Sequence, residues 1–352
     1  MKLLTMCLTG FVVLTTHAVV GQVPRTADGH PDLSGMYDTA TLTPLQRPRG
    51  LGNKLFLTAE EKDAIESEER ALSESLAAPS DPERGAPPSG GDGSPGPYGN
   101  VGGYNFFWID RGTEVFELDG RIRTSIITAP ANGRLPEMTR SATERAAARR
   151  ALYRENSGEN EGVAWWVDLD GPGPYDNPEQ RPLGERCLMG FGSTAGPPSL
   201  PVLYNNLKRI VQTEDYVMIL VEMVHDARII RLNQEHAPPQ IRKWMGDSVG
   251  HWEGDTLVVD TANFVAMPAL FSATENLHVI ERFTRLDEDR ILYQFTVEDP
   301  TVWTEPWSGE YPWVSTTDPI YEYACHEANY SFEGILGGAR LLEAEALKER
   351  AK

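Results

Sequence analysis

The stretch LKRIVQTEDYVMILVEMVHDARIIRL, residues 207–232, decides the fold class. Apolar, largely β-branched residues run on both sides of Glu214-Asp215, which reads as two strands joined by a tight turn. HWEGDTLVVDTANF, residues 251–264, is another turn and strand, and ENLHVIERFTRLDEDRILYQFTVEDP, residues 275–300, is a further hairpin turning near Asp287 to Asp289. Consecutive antiparallel strands with short turns form a meander. A meander of this length closes into a barrel or packs as a sandwich. The expected fold is mainly β, with an extended N-terminal arm and a few peripheral helices.

Upstream of this core the chain changes character several times. Residues 1–21 read as a secretory signal peptide, with Lys2, an apolar run from Leu3 to Val20, and the small residues Ala18 and Gly21 for cleavage. An uncleaved anchor is the alternative. Residues 22–77 read as an extended arm plus one helix, opened by a capping box of Thr58 and Glu61. Residues 78–103 are a Pro/Gly/Ser low-complexity loop, too poor in apolar side chains to offset the entropy of ordering. From 104 to 352 a single β-rich domain is expected. It opens with VFELDGRIRTSIIT, a hairpin signal around Asp119-Gly120. A helix follows near 141–154, with Ser141 and Glu144 as its capping box, and a short helix closes the chain in ARLLEAEALKERA.

Of the 352 residues, 40% are hydrophobic and 24% charged, as in ordinary globular proteins. The formal charge of −20 repels phosphate backbones and anionic lipid. Nucleic acid is therefore excluded as a partner, as is a membrane once the signal is removed. A small-molecule ligand or substrate is the expected partner. Signal removal also takes away Cys7 and leaves Cys187 and Cys325, an even pair that in an exported chain points to one disulfide. Two buried free thiols are the alternative.

Within EMVHDARII, residues 222–230, Glu222 and His225 have the Glu-x-x-His spacing of di-iron bundles. That motif needs a helix, and on a strand residues three apart point to opposite faces. Read as a strand, His225 shares its face with Val217, Ile219, Val221, Met223, Ala227 and Ile229, while Glu222, Asp226 and Arg228 form an ion-pair ladder on the other face. By the same period Glu281 joins Leu277, Val279 and Phe283, and Asp299 joins Ile291, Tyr293, Phe295 and Val297. His225, Glu281 and Asp299 are thus the candidate catalytic residues, converging in one cavity for general acid–base work. The competing reading is a buried polar network that fixes strand register.

TVWTEPWSGEYPWVSTTDPIYEY, residues 301–323, is crowded with rings. Tyr293, Trp303, Trp307 and Tyr323 are the candidate substrate-binding residues, and a hydrophobic lid closing the barrel is the plainer alternative. No metal is expected. The histidines outside the signal, His30, His225, His236, His251, His278 and His326, show no paired ligand spacing, and the aspartates of DLDGPGPYD are wrongly spaced for a calcium loop. A metal assembled from distant strands stays open. No Gly-x-Ser-x-Gly occurs, and GFGSTAGPP lacks the spacing of a phosphate loop.

Several blocks carry a resemblance: DGHPDLSGMY, GERCLMGF with GPP, EMVHDARII, WMGDSVGHWEGDTLVVDTANF, ENLHVIERFTR, FTVEDPTVW and YEYACHEANY. Over nearly the whole mature length the chain resembles a large, uncharacterised family of exported proteins from environmental bacteria. The resemblance implies export and a shared fold, and no activity. The WEGDTLVV meander also looks like that of calycin-type β-barrels, which include lipid carriers and a few hydratases or isomerases, and fold analogy alone assigns no function. Two functional expectations follow. The first is a periplasmic or secreted, cofactor-independent enzyme of the lyase, hydratase or isomerase class, acting on a small organic or sugar-derived substrate in an apolar barrel cavity. The second is a non-catalytic, lipocalin-like binder of an apolar ligand.

Overall fold

A computed structural model describes residues 23–77, 109–152, 162–190, 196–327 and 329–352. The expected signal peptide and low-complexity loop lie outside the described residues. Three elements form in the arm: β1 (Gly35–Asp38), β2 (Phe56–Leu57) and α1 (Ala59–Ala77). Helix α1 begins with the predicted capping box, in which Glu61 Oε2 accepts from the Thr58 N–H at 2.8 Å and Thr58 Oγ1 from the Glu61 N–H at 3.3 Å. Strands β3 (Glu117–Leu118) and β4 (Arg121–Arg123) turn at Asp119-Gly120, where both residues have positive φ, and β2 joins them in a small three-stranded sheet. Then come β5 (Ile127–Ala129) and α2 (Arg140–Leu152). The cap of α2 is Thr139, whose Oγ1 accepts from the Ala142 N–H at 3.2 Å. Ser141, the expected cap, lies inside the helix.

The remaining strands are β6 (Leu207–Gln212), β7 (Tyr216–Val221), β8 (Ala227–Leu232), β9 (Asp247–Glu253), β10 (Thr256–Ala262), β11 (His278–Arg285), β12 (Arg290–Glu298) and β13 (Trp307–Ser315). The chain ends in α3 (Tyr330–Arg350), longer than the helix expected there. The hairpin turns fall where the sequence places them, between β6 and β7, β9 and β10, and β11 and β12.

Nine strands close in the order β1-β6-β7-β8-β9-β10-β11-β12-β13, with β1 returning to β13 through Tyr37 opposite Ser315 and Asp38 opposite Val314. β5 pairs with β13 as an extra strand. The barrel is mixed. β8 and β9 run parallel, because residues 233–246 carry the chain back to the end from which β8 starts. Closure pairs β1 with β13, strands that an open sheet would leave as exposed edges.

Two sequence readings change here. The arm does not merely lie on the domain, since β1 is the strand that closes it. The aromatic segment is not a lid: Trp307, Tyr311 and Trp313 are the buried face of β13. Pro306, Gly309 and Pro312 hide that period, since proline and glycine usually mark turns. Gly309 is required for packing, as a Cβ there would sit 2.5 Å from the Phe295 ring. The interior is filled with rings. Tyr293 lies 5.0 Å from Phe283, 5.0 Å from Trp313, 5.6 Å from Tyr311 and 5.7 Å from Phe295, centroid to centroid. Burying each such side chain stabilises the fold by about 1.5–3 kcal/mol.

Cys187 and Cys325 form a disulfide, with Cα atoms 5.7 Å apart across a sequence separation of 138. Thiol labelling of the unfolded, unreduced protein should modify neither cysteine. The double substitution Cys187→Ser/Cys325→Ser should lower stability in chemical denaturation by up to about 4–5 kcal/mol, the scale expected for so long a closed loop.

Candidate functional site

Strand pairing gathers several connections at one end of the barrel. The β7–β8 turn, the β10–β11 connection and the β12–β13 connection all emerge there. The β7–β8 turn is the segment EMVHD. It is not the continuous strand expected from the sequence. Met223–His225 form a single 3-10 turn in which Val224 has φ 57° and His225 φ 44°. A β-branched residue in the left-handed region is rare, and such strain is held where the surroundings demand it.

The turn resets the strand phase. Val217, Ile219 and Val221 point inward on β7, and after the turn Arg228, Ile230 and Leu232 do so on β8. His225 is therefore exposed on the turn, and the interior position goes to Arg228. The expected ladder of Glu222, Asp226 and Arg228 does not form. Each of the three has a different partner.

Arg228 is buried and forms a bidentate ion pair with the fully buried Glu281, Nη1 reaching Oε2 and Nη2 donating to Oε1 at 3.0 Å. The Tyr293 hydroxyl donates to Glu281 Oε1 at 2.7 Å and accepts from the Ser199 N–H at 2.8 Å. Tyr311 donates to the Ser199 carbonyl at 2.8 Å. Burial, together with the Glu281 charge, raises the Tyr293 hydroxyl well above its ordinary value. Lys208 on β6 is also fully buried. Burial and the nearby Arg228 push it down to about 7, against the pull of Asp38 and Glu222. Glu281 thus faces inward as its alternation implies, with Arg228 rather than His225 beside it. Lys208 escaped the sequence reading because β6 does not alternate cleanly, Leu207 and Lys208 both being buried.

Asp299 is buried at the barrel end, where its carboxylate is saturated locally. Oδ2 accepts from the Thr274 N–H at 2.8 Å and hydroxyl at 3.0 Å, and Oδ1 from the Thr301 N–H at 3.1 Å and hydroxyl at 2.6 Å. It ties two connections together and bonds to neither Glu281 nor His225. Trp303 and Trp307 are buried in edge-to-face contact at 5.7 Å, and Tyr323 is half-buried against the core. His278 lies on the outer surface, its Nε2 3.0 Å from Asp260 Oδ1, and His236 approaches the same oxygen at 3.1 Å. Among the described residues no group of three or more His, Cys, Asp or Glu side chains is arranged to hold a metal ion.

The turn itself carries the less satisfied acids. Glu222 accepts from the Tyr321 N–H at 3.3 Å and from Asn205, while burial raises its carboxyl. Asp226 accepts a hydrogen bond from the Gly190 backbone, but its Oδ2 is shielded from water and has no hydrogen-bond partner among the described residues. Burial pushes this carboxyl up to about 6, against the Gly190 hydrogen bond and the neighbouring His225. Gly190 also lines a groove of about 1010 Å³ at this end of the barrel. The groove runs between α2, residues 172–190 and the β10–β11 connection, with Trp244 and Thr301 at its sides. Its size matches small-molecule pockets, roughly 300–1,000 Å³.

Breaking the interior pair by Glu281→Gln should strand Arg228 and cost about 3–5 kcal/mol in denaturant unfolding. The paired change Arg228→Met/Glu281→Leu should recover most of that loss, because no buried charge is left alone.

A second expectation concerns pH. Asp226 and Asp38 are both raised from 3.8 to about 6 on folding, so between those values the folded state holds more protons than the unfolded state. Their contribution therefore falls as pH rises from about 4 to about 6. Asp226→Asn should flatten that fall in midpoints measured across the window; an unchanged slope would refute the raised carboxyl.

Compared with known proteins, the chain matches no family model, no curated protein and no solved structure.

Proposed function

We propose that this is an exported, cofactor-independent enzyme of the lyase, hydratase or isomerase type, doing acid–base chemistry at the end of its barrel rather than inside it. The carrying observation is Asp226: a carboxyl raised by burial, with one oxygen unpartnered among the described residues, on a backbone-strained turn that joins the groove through Gly190. A carboxyl titrating near 6 can take or give a proton at neutral pH, which suits general catalysis. The exposed His225 adjoins it in the same turn. The reaction we propose is removal of a proton from carbon next to a carbonyl, the electron pair passing to the carbonyl oxygen, followed by reprotonation or loss of a leaving group.

The barrel interior suits this chemistry less well. Rings in mutual contact occupy it, and Glu281 is already matched by Arg228 and Tyr293. That network fits a structural role, tying β8 to β11 across the barrel interior. A non-catalytic binder is the second reading. In its favour, neither histidine nor aspartate is found among the residues lining the groove itself.

Solvent deuterium exchange separates the two. The protein in deuterium oxide, given a panel of 2-oxo acids, 3-oxo acids and aryl ketones, should label at least one compound at carbon, detected by mass spectrometry. The rate should rise with pH through about 6 as Asp226 ionises, and Asp226→Asn should lower it by about 10²–10⁴-fold. Binding of panel members without any exchange would establish the binder instead.

A further inference from the structure

We propose that the groove at this end of the barrel binds an amphipathic organic carboxylate, with an alkyl or aryl body and one anionic head. The proposal rests on reading this end as the ligand-facing one, but not on the chemistry assigned to Asp226.

The lining combines two kinds of side chain. Trp244, Met267 and Phe271 line the groove while remaining 39%, 57% and 46% exposed. Large apolar side chains gathered in one concavity mark a surface that something covers. Arginines supply the second kind. Arg145 and Arg149 are four residues apart on α2, so both project from one face of the helix. Arg145 is held by a hydrogen bond of its Nη2 to the Thr301 carbonyl at 3.0 Å, which fixes α2 against the barrel end. Arg186 reaches the groove from the opposite wall, beside the disulfide cysteine Cys187.

Charge decides the ligand class. The chain carries a net −20, so a cluster of arginines around a concave apolar surface runs against its overall composition. Arg181 also lines the groove but is already paired with Glu185, at 2.8 and 3.0 Å. Among the described residues Arg149 and Arg186 have no ion-pair partner within 4.0 Å. Glu179 and Glu275 are the acids on the lining, fewer than the arginines. A cation would meet Arg145, Arg149 and Arg186, and a neutral apolar molecule would leave them unused. A carboxylate accepts a forked pair of hydrogen bonds from a guanidinium, the geometry for which arginine is suited.

Calorimetric titration of the full chain tests this, with dodecanoate and 2-naphthoate as carboxylates, dodecanol as the neutral control and dodecyltrimethylammonium as the cation, all below micellar concentrations. Both carboxylates should bind saturably at one site, and at least tenfold more tightly than the alcohol or the ammonium. Arg149→Glu/Arg186→Glu should weaken dodecanoate at least tenfold. Met267→Asp, at an exposed position that leaves the core intact, should weaken it similarly. Unchanged melting temperatures would show that both variants fold. Wild-type protein that binds dodecanoate but exchanges none of the carbonyl compounds would sink the catalytic reading and spare this one, whereas exchange without dodecanoate binding would do the reverse. Equal affinity for the ammonium, or indifference to charge reversal, would overturn the proposal. So would sedimentation showing a dimer that the reversal dissociates, since a second copy would then be the groove's occupant.

Discussion

A carboxylate at the centre of a closed barrel must be matched by a cation, or folding has to absorb the cost of desolvating it. Glu281 sets this condition, and Arg228 meets it with a bidentate pair that Tyr293 completes. Much of the surrounding architecture follows from delivering Arg228 to that point. Had the chain continued as one strand from β7 into β8, Arg228 would have faced outward. The tight turn at 222–226, with two residues in the left-handed region, shifts the phase and turns it inward. Local backbone strain is thus coupled to the central ion pair.

The same turn shapes the barrel end. By placing Met223 and Val224 inside, it leaves His225 exposed and brings Asp226 against Gly190. The Cys187–Cys325 disulfide holds the Gly190 segment close to the start of α3. Asp299 joins the β10–β11 connection to the β12–β13 connection through Thr274 and Thr301. Rigid connections on a closed barrel are a suitable support for a ligand site, whereas the packed interior is not. The strained turn, the half-buried Asp226 and the open groove thus lie at one end of the barrel.

A different set of constraints acts on the outer wall. Burial alone would raise Asp247, yet Lys243, the Ala237 N–H and His236 hold its carboxyl down at about 2. These contacts fasten the 233–246 crossover to β9, the strand with which β8 makes the parallel pairing. Such a crossover needs fastening, because a long connection has no short turn to set its register.

Local pattern in the sequence determined the hairpins, the Asp119-Gly120 turn, the Thr58–Glu61 cap and the inward direction of Glu281 and Tyr293. Each depends on residues a few positions apart, where period and turn chemistry act directly. The cysteine pair was legible by counting alone. What only the tertiary structure decided lies in contacts between distant segments. That β1 closes the barrel, that β13 is a strand despite its prolines, and that β8 and β9 run parallel are outcomes of pairing across the chain. The separation of His225 from Glu281 has the same origin. Alternation assumes an unbroken strand through His225, and five residues of turn were enough to exchange the exposed histidine for a buried arginine. Side-chain direction in a β-strand inverts with every residue, so a local break that sequence period does not reveal reassigns every residue beyond it.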